Sequence, residues 1–289
     1  MKRYSTIFLL TLVFTINILA LDYSNFRNFA DISNPYSPES NYSNPATISW
    51  LDSPRLSGGY EMLYLGMNHD NLSSGIINFS YPMKTLGTVG FRTSFFNANH
   101  FAQNSFVIQY SYKLDQMISV GMGIGLITRG YNTDDVEGFD LSDEVVQDAS
   151  KGSFTLGLGG TYMIFDDTFL GFKIDNIFKP DLGLEDESKE PLSLTLGVSS
   201  RIGIIQPYFD FSYYSDNTSN FLVGAEGWFM NEMLGTKINF TNNNVIFGIG
   251  LQYSNYRLDY DYILANSGVK EVSSGSHQML LTYNFKTAK

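Results

Sequence analysis

The sequence contains no cysteine, few charged residues and, after its first twenty residues, no long apolar run. Without cysteine the chain can carry neither disulfides nor a lipid attached to a thiol, so backbone pairing and packing must hold the fold. No later segment approaches the roughly eighteen apolar residues of a spanning helix. A membrane role would therefore require strands closed into a barrel.

Positive charge is also scarce, with 18 Lys and Arg against 29 Asp and Glu and a formal net charge of -11. Phosphate binding needs clustered Lys and Arg, and the absence of such clusters excludes nucleic acid as a partner. Aromatic residues are abundant by contrast, with 19 Tyr and 23 Phe. Low charge with many aromatics favours a surface that faces hydrocarbon and lipid headgroups, so we expect outer-membrane lipid as a partner.

The N-terminus has the pattern of an export signal. Lys2 and Arg3 precede an uncharged run that ends at the small residue Ala20. This predicts a signal peptide over residues 1–20 that is removed after Ala20. The alternative is a membrane anchor, which the short run containing Thr11, Thr15 and Asn17 disfavours.

Strict alternation of apolar with small or polar residues dominates the remaining chain. Between Ile118 and Leu126, every second residue is apolar and each residue between is Ser or Gly. Side chains of a strand alternate between its two faces, so the pattern predicts one oily and one polar face. It recurs in fourteen runs, an even number as bacterial single-chain barrels have: 55–66, 72–81, 87–96, 103–112, 117–129, 152–164, 168–177, 191–201, 204–214, 219–229, 233–241, 244–254, 256–264 and 277–285.

The predicted connections sort by length. Those after even-numbered runs are tight, whereas the long ones, 130–151, 178–190 and 266–276, all follow odd-numbered runs. Outer-membrane barrels have short periplasmic turns and longer outside loops, which a soluble sandwich has no reason to imitate. We therefore predict a closed antiparallel transmembrane β-barrel over residues 54–289, with both termini in the periplasm.

The last predicted strand ends on the alternating aromatics Tyr283 and Phe285. Together with the export signal, this ending indicates the bacterial outer membrane. We predict that these two residues form an insertion signal through which the barrel-assembly machinery engages the C-terminal strand.

Nearly every charge within a predicted strand falls on the face opposite to the apolar set. A charge near the bilayer midplane costs roughly 2 to 4 kcal/mol, so we place these residues in the lumen. They could pair with one another in a filled interior, or they could line a selective path. The predicted lumen charges are Arg92, Arg129, Lys173, Asp175, Asp210, Glu226, Lys237, Arg257, Asp259 and Asp261.

Two further features concern the lumen. Glycines such as Gly121 and Gly159 on the inward face leave room, and the polar, turn-rich segment 21–53 is available to fill it. We predict that this segment plugs or caps the periplasmic mouth. Pro207 lies inside a predicted strand, where the missing N–H predicts either a lateral gap toward the bilayer or only an error in the strand boundary.

Chemistry-bearing motifs are missing from the sequence. No Gly-rich phosphate loop, nucleophile elbow or His-based triad is present, and only His69 next to Asp70 could be considered. His69, His100 and His277 lack metal-ligand spacing. The acidic stretches in 134–148 and 185–190 are solvated loops, or weak sites for divalent cations. We predict no metal, no cofactor and no enzyme activity.

Short motifs carry a family resemblance. Asn44, Pro45 and Ala46 precede the first strand, and residues 153–177 form a Gly-rich strand, a short Asp turn and a second strand ending in Asn. These features resemble the PorV/PorQ-like outer-membrane proteins, relatives of the FadL fatty-acid transporters, although Thr47 replaces the family glycine. The resemblance implies a fourteen-stranded barrel with the Asn44–Ala46 motif in an inner plug.

The resemblance implies two functions. The first is passage of small hydrophobic molecules, as in FadL relatives, and we expect this one. The alternative is an accessory or shuttle role among the proteins of a type IX-like secretion system. A structural barrel without transport remains a third reading.

Overall fold

The computed structural model describes residues 31–66, 72–99, 101–131, 150–183, 187–266 and 273–286. Fourteen antiparallel strands close into one barrel in which each strand pairs with its sequence neighbours and β1 pairs with β14. The predicted all-β fold class is thereby confirmed. The strands are β1 Arg55–Met62, β2 Ser73–Pro82, β3 Thr88–Ala98, β4 Phe101–Lys113, β5 Ile118–Tyr131, β6 Ser150–Phe165, β7 Thr168–Asp175, β8 Ser193–Ser200, β9 Ile205–Tyr214, β10 Ser219–Phe229, β11 Leu234–Thr241, β12 Asn244–Tyr253, β13 Tyr256–Ala265 and β14 Ser276–Asn284.

The strand boundaries differ from the predicted ones mainly at the loop ends. β1 stops at Met62 although the apolar pattern runs to residue 66. Tyr64 and Gly66 both have positive φ, which turns the chain out of the ladder. β5 and β6 are longer than predicted because their pairing continues to Gly130 and Ser150, beyond the alternating pattern.

The two ends of the barrel are unequal. At the short-turn end the connections are 83–87, 114–117, 166–167, 201–204, 230–233 and 254–255. At the opposite, long-loop end the connections include 63–72, 132–149, 176–192 and 266–275. In an outer-membrane barrel the short turns face the periplasm, which makes the long-loop end extracellular.

The wall has an oily outside and a polar inside. On β12, Phe247, Ile249 and Leu251 are exposed on the outer surface, whereas Gly248 and Gly250 between them face inward. The same alternation places large apolar side chains around the whole exterior. Hydrocarbon can solvate such a surface and water cannot, so the band marks the membrane-spanning zone.

Residues 31–53, which we call the inner segment, lie inside the barrel. They form helix α1, Pro38–Ser43, and a 3-10 turn, Thr47–Trp50. The Ser37 hydroxyl caps α1 by accepting from the Glu39 N–H at 3.2 Å, and Pro38 occupies the first turn, where its missing N–H costs nothing. Tyr42 packs with Ile76 and Leu280 of the wall.

Helices of the described residues are all too short and polar to cross a membrane. The predicted signal peptide, 1–20, lies outside the described residues, and so do residues 21–30 of the predicted plug. The structure therefore places only residues 31–53 of that segment in the lumen, and the plug over 21–53 stays a prediction.

The outer face yields a test of the membrane assignment. We expect Ile249→Arg, in the middle of β12 and 56% exposed, to lower the free energy of unfolding in lipid vesicles by about 2–4 kcal/mol. Tyr253→Arg, on the same face at the end of the strand, is the matched control and should cost about 0–1 kcal/mol. Equal small losses at both positions would contradict a bilayer around this strand; urea titrations give both values.

Candidate functional site

The Asn44–Pro45–Ala46 motif seats the inner segment on a glycine patch of the wall. A Cβ on Gly121 would lie 2.5 Å from the Pro45 carbonyl carbon, and one on Gly159 would collide with the Asn44 amide. The Asn44 side chain donates to the Ile32 carbonyl at 2.9 Å and accepts from the Ala46 N–H at 3.0 Å. Glycine is required at these two wall positions because the inner backbone approaches so closely.

Hydroxyl groups of β4, β5 and β6 complete this seat. The Ala46 carbonyl accepts from Ser111 at 3.0 Å and from Ser119 at 2.8 Å. The Trp50 indole N–H donates to Thr161 at 2.8 Å and to Ser119 at 3.1 Å. All these groups are buried and bonded, as buried polar groups in folded proteins are.

Helix α1 is attached to the opposite wall by buried charges. Lys237 on β11 contacts Glu39 of α1 at 2.7 Å and Asp261 on β13 at 2.7 Å. The three side chains are less than a tenth exposed. Removing one partner of such a buried group leaves an uncompensated charge, so this contact fixes α1 to the wall.

A second ionic cluster lies beside the first on β10 and β13. Arg257 contacts Glu226 at 2.7 Å and Asp259 at 2.8 Å. Its guanidinium also lies 4.5 Å from the centre of the Trp228 ring. This planar cation is held by carboxylates and an aromatic face together, an arrangement that Lys could not reproduce.

The remaining predicted lumen charges have separate partners. Arg92 donates to the Tyr42 carbonyl, and Asp210 accepts from the Ile32 N–H at 2.9 Å, so both hold the inner segment by its backbone. Lys173 pairs with Asp175 at 3.0 Å. Arg129 lies near the long-loop end and pairs with Glu190 of the 176–192 connection at 2.5 Å.

All ten predicted charges thus lie on the inner face, and three of them, Arg92, Asp210 and Lys237, touch the inner segment. Sequence reasoning missed Glu39 and Arg55. Arg55 donates to Asn41 of α1 at 2.7 Å and to Asn284 of β14 at 2.7 Å. A charged residue at the first position of the first strand was the available signal for Arg55.

Two small spaces lie in the described part of the lumen. One, of about 380 Å³ including volume open to solvent, is lined by polar residues such as Arg92, Gln109 and Asp175 and by the apolar Pro45, Val107 and Ile127. A second, of about 180 Å³, lies between the two ionic clusters. Both linings mix polar and apolar groups, and neither space is a continuous apolar pocket between the two ends.

Pro207 is the third residue of β9 and lies near the short-turn end. Around it the β9–β10 register is unbroken, from Gln206 opposite Glu226 to Tyr208 opposite Gly224. On the other side, β8 pairing stops at Ser199 opposite Tyr208, one step before Pro207. Pro207 therefore keeps its pairing with β10 and lacks a partner on β8, beside the short turn, and the lateral gap stays a prediction.

Tyr283 and Phe285 lie on the exterior at the short-turn end. Their ring centroids are 4.7 Å apart, and the tilted ring of Tyr256 lies 4.8 Å from that of Tyr283. Aromatics at this level of a barrel are typical of the membrane interface. Their role in recognition by the assembly machinery stays a prediction.

The described acidic and histidine groups have ordinary partners. A hydrogen bond from Lys151 holds the pKa of the Asp181 carboxyl well below its usual range. His277 faces outward and shares a hydrogen bond of 2.7 Å with Tyr260. Within the described residues no cluster of His, Asp and Glu is arranged to hold a metal. His69, His100 and the stretch 134–148 lie outside those residues.

The glycine seat can be tested by filling it. Gly121→Val should push against the Pro45 backbone and cost roughly 1–3 kcal/mol of overpacking, while it exposes residues 31–53 to protease. Gly160→Val is the matched control, since a Cβ there meets nothing nearer than 3.8 Å. Limited proteolysis followed by mass spectrometry measures the difference, and identical cleavage of both variants would contradict the seat.

The buried ion pair gives a second test. We expect Lys237→Met to lower the free energy of unfolding by about 3–5 kcal/mol, because it leaves Glu39 and Asp261 buried without their cation. Adding Glu39→Gln should recover part of this loss in a double-mutant cycle. The exposed pair of Arg201 and Glu232 is the control, and Arg201→Ala should cost about 0–1 kcal/mol. Similar losses for Lys237→Met and Arg201→Ala would contradict the conclusion that Lys237 fixes α1 to the wall.

Solved structures share this barrel. The Ralstonia pickettii toluene transporter TbuX aligns with a TM-score of 0.65 at 12% identity, over 91% of this chain and 100% of its own. The Pseudomonas putida toluene transporter TodX aligns at 0.63 and 13% identity, over 92% and 98%. A Pseudomonas aeruginosa FadL homologue aligns at 0.60 and 10% identity, over 91% and 98%. At such identities the likeness shows the fold alone, a barrel of the bacterial outer membrane.

Among curated proteins, none matches the sequence significantly. A family model does match, described as type IX secretion system membrane protein PorP/SprF, and it covers residues 30–283. The match includes both the inner segment and nearly all of the barrel. The resemblance to PorV/PorQ-like proteins is thus supported only as far as an outer-membrane barrel family. The chain belongs to the PorP/SprF family of type IX secretion system membrane proteins.

Proposed function

We propose that this protein is an outer-membrane component of a type IX secretion system and acts through contacts with other proteins, not as an open channel. The observation that carries the proposal is the family match over residues 30–283. The inner segment that lies in the lumen adds support, because a protein that works by its surfaces does not need a passage.

The chemistry of the interior argues in the same direction. A hydrophobic solute that crossed the lumen would pass Lys237 with Glu39, and then Arg257 with Glu226, in place of an apolar wall. Breaking these buried pairs carries the desolvation cost of each charge. The inner segment and its partners are better suited to stiffen the barrel than to conduct oily molecules. We propose no enzyme activity for this protein.

The first experiment isolates the tagged protein from crosslinked native membranes. We expect other components of the secretion system to be recovered, and we expect deletion of the gene to reduce the secreted proteins in the medium. A tagged outer-membrane barrel of unrelated family is the control. Recovery of no such component, together with an unchanged set of secreted proteins, would refute the proposal.

A second candidate is passage of small hydrophobic molecules. It is favoured by the shared barrel of proteins described as toluene transporters. Uptake of labelled toluene and labelled fatty acid by liposomes discriminates the two. We expect the wild-type protein to match empty liposomes. Uptake that rises with protein content would favour the transport function instead.

A further inference from the structure

The short turns carry a ring of exposed apolar side chains, which we call the turn collar: Leu86, Leu114, Phe165, Ile202, Met230 and Tyr253. Each of the six short connections contains or adjoins one of them. They are between 60% and 76% exposed, which is more than most side chains of the lipid-facing band. If these turns faced water, a large exposed apolar residue in each of the six would be unfavourable.

The collar continues the lipid-facing surface of the wall. On β4, Leu114 follows the exposed series Phe106, Ile108, Tyr110 and Tyr112 at the same parity. On β12, Tyr253 follows Phe247, Ile249 and Leu251. Phe165 pairs with Thr168, which precedes the outward-facing Leu170. Leu114, Tyr253 and Phe165 therefore project sideways from the barrel and not down into the periplasm.

Each collar residue has a polar neighbour in its own turn. These polar neighbours are all exposed: Lys84, Asp115, Asp166, Arg201, Glu232 and, in the last turn, Ser254. The side chains of Arg201 and Glu232 pair across two turns at 2.5 Å. The backbone N–H of Arg201 donates to the Asp167 carbonyl at 2.9 Å. Each turn is thus amphipathic, with an apolar side to the flank and a polar tip.

We propose that the turn collar is immersed in the phospholipids of the inner leaflet, so that the short-turn end is flush with the membrane. Continuity with the lipid-facing band identifies the occupant as lipid, and the adjacent charges fit the headgroup level. On this arrangement a periplasmic protein cannot grip the turns from the side. Among the described residues it has access only to the polar tips and to the lower face of the inner segment, where Tyr36 is half exposed.

The cysteine-free chain allows a direct test with single cysteines carrying a bimane label in lipid nanodiscs. Two adjacent pairs are compared: Phe165→Cys with Asp166→Cys, and Ile202→Cys with Arg201→Cys. We expect shallow nitroxide lipids to quench positions 165 and 202 several-fold more than positions 166 and 201. Aqueous iodide should give the reverse order. Ile249→Cys serves as the control for the middle of the band.

The outcome separates lipid from protein as the occupant. If positions 165 and 202 are quenched by iodide as strongly as their neighbours, the collar lies in water and the proposal is overturned. The collar would then be a free apolar surface for a periplasmic protein. Folded variants are identified by their heat-modifiable migration on gels. The two pairs are independent of each other. If one variant fails to fold, the other pair therefore still decides the test.

Discussion

Closure of the ladder between β1 and β14 is the constraint on which the rest depends. The two strands pair over their whole length, from Arg55 opposite Asn284 to Met62 opposite His277. In hydrocarbon an unpaired backbone group costs several kcal/mol, so a barrel with an open edge could not stay in the membrane. Closure also encloses a space that the inward-facing side chains of the fourteen strands do not fill by themselves. The inner segment and the lumen charges follow from that enclosed space.

Magnitudes decide how the interior is held. An exposed pair such as Arg201 with Glu232 contributes about 0–1 kcal/mol, whereas breaking a buried pair costs about 3–5 kcal/mol. The buried contacts of Lys237 and Arg257 therefore dominate, although each was costly to desolvate. They connect β10, β11 and β13 with α1, while the glycine seat fixes the other side of the inner segment on β5 and β6. The inner segment is thus held by ion pairs on one side of the barrel and by close backbone packing on the other.

The period of two in the sequence was sufficient to predict the barrel. Alternation reports directly which side chains share a face, so the inward position of Asp259 or Arg92 follows from it. The partners do not follow. Glu39 and Lys237 are 198 positions apart, and the six-residue helix that carries Glu39 has no periodic signal. Pro207 shows the same limit, because the predicted start of β9 is off by one residue, yet the alternation does not show where pairing with β8 stops.

Fold and function separate clearly in this protein. A barrel shared at 12% identity with a toluene transporter fixes where strands run, but the side chains that a solute would meet are free to differ. Here those side chains are paired ions, hydroxyls and an inner backbone seated on glycine. A path for oily molecules requires the opposite interior, apolar and unobstructed. The chemistry of the lumen, more than the shape of the wall, therefore supports the secretion role over the transport role.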